Sequence, residues 1–283
     1  MGYIDLHVHT KYSDGEYLPL EILNICNEKN ISVVAIADHN TTEGAREAIL
    51  NNPYDTITII PAIEFSADCP TKGASCHILG YGIDVENTEL NNLSNRMREE
   101  NAKKVVAIIA ALKEKFNLSF NKEDVDNVLN NIGNIGKPDV ARLCVKYGYC
   151  NTISEAFDKF IKPVEKTLVM KRYFPTAIEC IQYIHNAGGI ACLAHPIELL
   201  KADEELEEYI KNLAKNGLDA IEVYQSKHTE EYSEMLLKIA NKYNLLYTVG
   251  SDYHGPFITP DFEIGSGKNN NLNKTYASIL NIL

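Results

Sequence analysis

Short apolar runs alternate along the chain with segments in which apolar residues recur every three or four positions. The apolar runs lie at residues 3–8, 33–37, 57–62, 77–83, 190–194, 220–224 and 246–250. Several are rich in β-branched residues and lack polar alternation, which is typical of parallel strands covered on both faces. Helical periodicity lies between them, at residues 18–28, 43–50, 177–187, 204–215 and 230–243. Repeated βα units favour an α/β barrel or a doubly wound sheet.

A long segment between the fourth and the fifth apolar run breaks this alternation. From residue 88 to residue 173 the pattern is helical, with predicted helices at 90–116, 121–130, 140–147 and 153–160. We expect residues 1–87 and 174–283 to form the barrel. Residues 88–173 are expected to form a helical insertion domain that caps the substrate site, because barrel crossovers are usually short. The alternative is a set of longer barrel helices with no separate role.

Composition limits the partners of this protein. The 283 residues carry a formal net charge of −12, which argues against binding to duplex nucleic acid because such binding needs a basic face. An anionic substrate remains compatible, since bound divalent metals can reverse the sign of a pocket. No apolar run reaches the roughly 18–20 residues of a membrane helix, and the N-terminus shows no signal-peptide pattern. We therefore expect a cytoplasmic protein whose seven cysteines are reduced thiols.

Histidines and acidic residues recur where the predicted strands end. The carboxyl ends of parallel barrel strands all face one side, so these groups are expected to converge. A convergent set of imidazoles and carboxylates indicates a metal site. His7 and His9 should face the same way, because residues i and i+2 of a strand share a face. The motifs are Asp5-Leu6-His7-Val8-His9, Asp38-His39, His195-Pro196 and Asp252-Tyr253-His254, while Glu64 and His77 close or open two further runs.

Other residues near these motifs have less specific interpretations. His185 lies within a helical pattern and His228 at a helix start, so we expect surface or capping roles for both. Asp38 either orients the neighbouring His39 or caps the end of its strand, and the sequence favours neither.

The same motifs resemble those of the PHP (polymerase and histidinol phosphatase) family of metal-dependent phosphoesterases, and are most similar to its TrpH-like branch. The resemblance implies a distorted (βα)7 TIM-like barrel with a helical insertion domain and a trinuclear metal site. Members of this branch act on nucleoside 3′,5′-bisphosphates and 5′-mononucleotides, and some trim the 5′ ends of short RNA. The matching segments are DLHVHTKYSDGEYLP, VVAIADHNTTEGAREA, AIEFS, HILGYGID, GGIACLAHP and GSDYHGP.

The resemblance also implies a ligand set for two or three divalent metal ions, Mn²⁺, Fe²⁺ or Zn²⁺. Asp14 stands where some family members have a histidine, and an oxygen ligand suits a harder metal such as Mn²⁺ or Fe²⁺. One ion would be held by His7, His9, Glu64 and Asp252, a second by Glu64, His77 and His195, and a third by Asp14, His39 and His254.

Candidate phosphate-binding residues lie in the segment GKPDVAR. Lys137 and Arg142 are its cations, and Arg suits bidentate phosphate recognition. The family branch usually shows GRPHxAR here, so Lys137 replaces an arginine and Asp139 a histidine. Lys171 and Arg172 are further candidates for contacts with the substrate.

We therefore expect a phosphoesterase that hydrolyses phosphate monoesters of small nucleotides, such as 5′-AMP or a nucleoside 3′,5′-bisphosphate. Metal coordination lowers the pKa of water toward about 7, so a hydroxide held between the metals that share Glu64 would attack phosphorus. Glu64 is thus a catalytic candidate, and His195 or Asp252 would assist proton transfer to the leaving group. The alternatives are a histidinol-phosphate-type phosphatase, a 5′-3′ exonuclease on short oligoribonucleotides, and a non-catalytic metal-binding module.

Overall fold

The computed structural model describes residues 2–71, 74–131, 133–168 and 173–283. Within these ranges the chain forms a seven-stranded sheet whose strands neighbour one another in sequence order. All seven coincide with the expected apolar runs, although β3 continues to Ala67 instead of ending at residue 62. The strands are β1 (Tyr3–Val8), β2 (Ile31–Ile36), β3 (Thr58–Ala67), β4 (Cys76–Tyr81), β5 (Ile190–Leu193), β6 (Ala220–Gln225) and β7 (Leu246–Gly250).

The fourth strand departs from the expected parallel βα pattern. β4 runs antiparallel to both β3 and β5, whereas the other neighbouring strands pair in parallel. No room for a crossover helix exists between β3 and β4, and only antiparallel strands can be joined by a short connection. The reversal places the first residues of β4, including His77, at the rim where the other strands end.

The sheet closes almost completely into a barrel where its two edge strands meet. Val8, the last residue of β1, and Tyr253, which follows β7, form an isolated parallel bridge. The backbone N–H of Asp252 donates to the carbonyl of His7 at 2.8 Å, and that of His9 donates to Tyr253 at 2.9 Å. The described residues thus form an α/β fold with a nearly closed barrel, and closure joins the end of β1 to the residues that follow β7.

Ten α-helices accompany the strands in the described residues. Several of them begin at a residue whose side chain caps the helix. At the start of α8, the backbone N–H of Glu179 donates to Thr176 Oγ1 at 3.2 Å, and the backbone N–H of Thr176 donates to Glu179 Oε2 at 2.7 Å. The helices are α1 (Pro19–Glu28), α2 (Glu43–Asn51), α3 (Thr88–Phe116), α4 (Lys122–Leu129), α5 (Lys137–Lys146), α6 (Ile153–Ala156), α7 (Lys162–Glu165), α8 (Ala177–Asn186), α9 (Asp203–Lys215) and α10 (Glu230–Lys242), with a π-helical turn at Phe157–Ile161 between α6 and α7.

Separate apolar clusters hold the barrel and the helical segment. All seven strands contribute to a cluster inside the barrel, and α8, α9 and α10 bury their apolar faces against the outside of the sheet. Residues 105–164 contribute to a further cluster of their own, built mainly by α3, α5 and the π-helical turn. The long helix α3 links the two regions, since its first turns bury Leu90, Leu93 and Met97 against the barrel side and its later turns bury Ile108 and Leu112 in the helical cluster.

Among the described helices, none has both the length and the apolar character that crossing a bilayer requires.

The cluster around α3 makes a prediction about stability. Ile108 is fully buried, so Ile108→Ala should lower the free energy of unfolding by about 2–5 kcal/mol through lost burial and the cavity left behind. Val106 lies on the same helix but is half exposed, so Val106→Ala is a matched control expected to stay within about 0.5 kcal/mol. Denaturant unfolding measures both. Equal losses in the two variants would contradict the assigned packing.

Candidate metal centre

The rim of the barrel gathers every residue that the sequence analysis proposed as a metal ligand. β1, β3 and β4 carry His7, Glu64 and His77, respectively. The remaining six lie in the segments that follow strands: His9 and Asp14 after β1, His39 after β2, His195 after β5, and Asp252 and His254 after β7. The structure therefore brings together, at one end of the barrel, residues that are far apart in sequence.

Glu64 is fully buried at the centre of this group. Its Oε1 lies 2.9 Å from His195 Nε2 and 3.1 Å from His77 Nδ1. Its Oε2 lies 2.7 Å from His39 Nδ1. The Nε2 atoms of His7 and His9 approach the same carboxylate at 3.3 and 3.4 Å. A single carboxylate thus contacts five imidazoles, which is the arrangement expected of a bridging ligand.

Four overlapping groups of side chains at the rim could each hold a metal ion. In each group, one ligand atom from every member lies within 4.8 Å of the others. Sets of three or four protein ligands leave coordination positions for water or substrate. Compared with the grouping that the resemblance implied, His9 joins the Asp14 set, and His7 lies with Glu64 and His195. The groups are His9, Asp14, His39 and His254; His7, His9 and Asp252; His7, Glu64 and His195; and His39, Glu64 and His77.

Buried polar atoms without a hydrogen-bond partner test whether this donor set fits a metal. Within the described residues, such atoms include the Nε2 atoms of His7 and His9 and Oδ1 of Asp14. Oε2 of Glu64 belongs to the same group, because its approach to Nδ1 of His39 at 2.7 Å does not have the geometry of a hydrogen bond. A buried polar atom left unpaired is costly, and most native structures avoid it. Mixed nitrogen and carboxylate donors are the ligands that Zn²⁺, Mn²⁺ and Fe²⁺ accept. The residues present therefore fit divalent metal ions.

Burial and charge shift the pKa values of the cluster in opposite directions. Burial lowers the pKa of His39, but the carboxylates of Glu64 and Asp14 outweigh it and raise this pKa to about 10. Burial also lowers the pKa of His9, and with the nearby His254 it brings the value to about 3. For Glu64, burial raises the pKa, but His39 and His7 reverse the shift and hold the pKa well below its usual range. Glu64 thus stays ionised, as a metal ligand must be.

Glu222 is a buried residue of the site that the sequence analysis missed. It lies on β6, its Oε1 accepts from Nδ1–H of His7 at 2.9 Å, and its Oε2 accepts from the backbone N–H of His195 at 2.7 Å. His195 has a φ of 22°, which non-glycine residues rarely adopt, so this bond supports an unusual backbone. Because Nδ1 of His7 donates to Glu222, its Nε2 is left as an acceptor facing the cluster. The only signal was an acid inside the apolar run AIEVYQ.

Two further buried acids hold the rim segments in place. Asp38 accepts from the backbone and the hydroxyl of Thr10 at 2.7 and 2.6 Å, and from Ser13 Oγ at 2.6 Å. These bonds fix the turn that carries Asp14. None of them involves the ring of His39, which the sequence analysis had considered as a partner of Asp38. Asp5 accepts from the backbone N–H groups of Ser251 and Gly265 at 2.9 and 2.7 Å, which fixes the segment before Asp252.

A cleft of about 910 Å³ opens beside the cluster. Asp14, His39 and His77 border it on the barrel side. Four lysines also line it, of which the sequence analysis had singled out only Lys137. Three of the lysines come from the helical segment and one from the barrel: Lys104, Lys137, Lys162 and Lys227.

The predicted substrate contacts have different surroundings. Lys137 lines the cleft, with its Nζ 3.4 Å from Glu165 Oε2. Arg142 pairs with Asp139 Oδ1 at 3.0 Å and also donates to the backbone carbonyl of Asp14, so it links the helical segment to the rim. Lys171 and Arg172 lie outside the described residues.

Lys227 lies in the turn after β6, where no motif indicated a function. Its Nζ is 2.6 Å from Glu198 Oε1 and 3.6 Å from Asp252 Oδ2. Burial lowers the pKa of Lys227, but Asp252 and Glu198 outweigh that effect and raise the pKa above its usual value. Lys227 therefore places a positive charge beside a candidate metal ligand.

The two histidines outside the motifs differ from each other. His185 lies within 2.7 Å of Asp219 Oδ2 and is partly exposed, in keeping with the expected surface role. His228 is only 4% exposed, and its Nδ1 lies 3.0 Å from the carbonyl of Val223. The expectation of a surface or capping role was therefore wrong for His228, because its ring is buried and Thr229 is the residue that caps α10.

Comparisons with known proteins agree with this geometry. A family model described as PHP domain matches residues 5–223. A 5′-3′ exoribonuclease of Haemophilus influenzae is 29% identical over 254 residues, which cover 89% of this chain and 90% of that protein. A 3′,5′-nucleoside bisphosphate phosphatase of Chromobacterium violaceum is 25% identical over 256 residues, covering 90% of this chain and 88% of that protein. The solved structure of a predicted metal-dependent phosphoesterase of Bifidobacterium adolescentis has a TM-score of 0.80 at 27% identity, covering 95% of this chain and 94% of its own.

The family match extends from β1 to β6, and the relatives align with almost the whole chain. The last two rim residues, Asp252 and His254, follow the matched range, and barrel closure brings them to the same cluster. The chain therefore belongs to the PHP domain family and is, by class, a metal-dependent phosphoesterase.

Proposed function

We propose that the nine rim residues hold two or three divalent metal ions and that this centre hydrolyses phosphate esters of nucleotides. The observation that carries the proposal is the central position of Glu64, whose two oxygens contact imidazoles of several ligand groups. Bound metals would supply an acidified water and would neutralise charge on the phosphoryl oxygens. The nine side chains would contribute by holding the metal ions in fixed positions at the buried rim.

The cleft supports an anionic substrate in spite of the net charge of −12. Its lysines provide cations where a phosphorylated ligand would lie, and local charge governs such binding more than the net charge does. We further propose that residues 88–173 form a helical insertion domain that caps this cleft on a (βα)7-type barrel of residues 1–87 and 174–283. The separate apolar cluster of residues 105–164 supports that division.

Two nucleotide substrates are compatible with the cleft. The first is a small nucleotide monoester, such as 5′-AMP or a nucleoside 3′,5′-bisphosphate. The second is a short oligoribonucleotide that is degraded from its 5′ end. The cleft volume of about 910 Å³ lies within the roughly 300–1,000 Å³ found for small-ligand pockets, which is compatible with the first candidate. Similarity along most of the chain to a 3′,5′-nucleoside bisphosphate phosphatase supports the first candidate, and similarity to an exoribonuclease supports the second.

His195 and Asp252 have second polar atoms that point away from the cluster. His195 Nδ1 lies 3.5 Å from Glu198 Oε2, and Asp252 Oδ2 lies 3.6 Å from Lys227 Nζ. We propose that one of the two residues assists proton transfer to the leaving oxygen, since each links a candidate ligand position to a charged group at the cleft.

A substrate panel tests the proposed activity. Mn²⁺-loaded protein should release phosphate or mononucleotides from 5′-AMP, adenosine 3′,5′-bisphosphate or a 5′-phosphorylated short RNA, and should leave histidinol phosphate intact.

Glu64→Gln should lose at least about 100-fold in kcat/KM together with bound metal, because the bridging carboxylate is removed. Glu208→Gln, on the exposed face of α9, is the control. Wild-type turnover in Glu64→Gln would contradict the bridged centre.

Glu222→Gln tests how the metal ligands are oriented. Both contacts of Glu222 need an acceptor, and an amide offers only one acceptor oxygen. Either the His195 backbone bond is lost, or His7 changes tautomer and directs a proton at the cluster. We expect metal affinity to fall about 10- to 100-fold, measured by competition with a chelator. An unchanged affinity would mean that Glu222 does not orient the ligands.

A further inference from the structure

Lys227 is a cation of the cleft that lies close to a candidate metal ligand. Its Nζ is 3.6 Å from Asp252 Oδ2, and Asp252 Oδ1 lies 3.3 Å from His9 Nε2 inside the cluster. By contrast, the nearest ionic contact of Lys137 is Glu165, on the helical segment. Lys227 therefore contacts the barrel rim and Lys137 the helical segment, although both line the same cleft.

The ammonium group of Lys227 retains the capacity to bind a ligand. It has three N–H donors, of which one is directed to Glu198 Oε1 at 2.6 Å and another lies toward Asp252. The side chain is 46% exposed and lines the cleft, so the remaining donor can reach a ligand oxygen. Its position beside Asp252 means that such an oxygen would belong to the group bound at the centre.

Glu198 fixes this lysine relative to the cluster. The 3-10 turn Pro196–Leu199 directly follows His195 and carries Glu198. Its Oε1 contacts Lys227, while its Oε2 lies 3.5 Å from His195 Nδ1. One carboxylate thus ties the lysine to a histidine of the rim, which limits the positions that the flexible lysine side chain can adopt.

We propose that Lys227 is a catalytic residue that donates a hydrogen bond to a nonbridging oxygen of the phosphoryl group under attack, and that Glu198 is its positioning residue. The inference rests on the proposed function. Phosphoryl transfer depends mainly on positioning and on the stabilisation of charge at the equatorial oxygens, so a fixed cation at this point lowers the barrier. No proton transfer from Lys227 is required.

The test compares Lys227→Met with Lys227→Arg in Mn²⁺-loaded protein. Lys227→Met should lose roughly 100-fold in kcat/KM, mostly in kcat, as expected when a transition-state donor is removed. Lys227→Arg, which retains the charge, should restore most of this loss. Lys242→Met is the matched control, because Lys242 forms a similar pair with Glu207 at 2.5 Å and does not line the cleft.

Two readouts separate a substrate contact from a structural role. Bound metal and thermal stability should be unchanged in Lys227→Met, whereas loss of metal would show that Lys227 only positions Asp252 and would overturn the proposal. Calorimetric titration with inorganic phosphate should show an affinity about tenfold weaker, near the lower end of what one charge-assisted hydrogen bond contributes.

Glu198→Gln completes a double-mutant cycle. If Glu198 acts through Lys227, its loss should reduce kcat less than Lys227→Met does and should add little in the double variant. Additive losses would overturn the positioning role.

If the wild-type protein hydrolyses no substrate of the panel, the proposed function fails, and phosphate affinity alone then decides the inference. Activity and phosphate affinity of Lys227→Met within threefold of wild type would refute it.

Discussion

The buried carboxylate of Glu64 is the constraint on which the site and much of the barrel depend. Burying a charged group destabilises the fold unless nearby polar or charged groups compensate for the lost hydration. Here five imidazoles do so, and they come from four other strands or from the segments that follow them. Those partners can meet Glu64 only when the sheet has curled into a nearly closed barrel. The fold and the candidate metal centre are therefore energetically linked, since an open sheet would leave the carboxylate uncompensated.

A set of buried acids around the centre has a different task. Asp5, Asp38 and Glu222 accept hydrogen bonds from backbone N–H groups of the rim, and Asp38 and Glu222 also accept from side chains. Each fixes a segment that carries a candidate ligand, so the positions of the histidines are set by bonds outside the cluster. Buried polar networks of this kind are rigid when every member is satisfied, and the loss of one member is correspondingly severe. The precision that metal ligation needs is thus provided by residues that do not themselves face the centre.

The cleft combines the two regions of the chain. The barrel contributes the cluster and Lys227, whereas the helical segment contributes Lys104, Lys137 and Lys162. Arg142 joins the regions by donating to the backbone of the turn that carries Asp14. A shift of the helical segment would therefore displace the rim turn that carries Asp14. The strongly acidic overall composition does not prevent a phosphorylated substrate from binding, because the cations are concentrated where the metals would also lie.

The sequence by itself determined where the strands and most helices lie, because apolar periodicity reports which faces are buried, and its motifs named all nine residues that the rim brings together. It did not reveal that β4 is antiparallel, since a strand has the same apolar pattern in either direction. Nor did it identify Glu222 or Lys227, or the engagement of Arg142 with Asp139 and the Asp14 backbone. His7 and Glu222 are 215 positions apart and meet only because β1 and β6 belong to one barrel. Local patterns encode burial, but pairing between distant residues depends on strand direction and barrel closure, which only the tertiary structure decides.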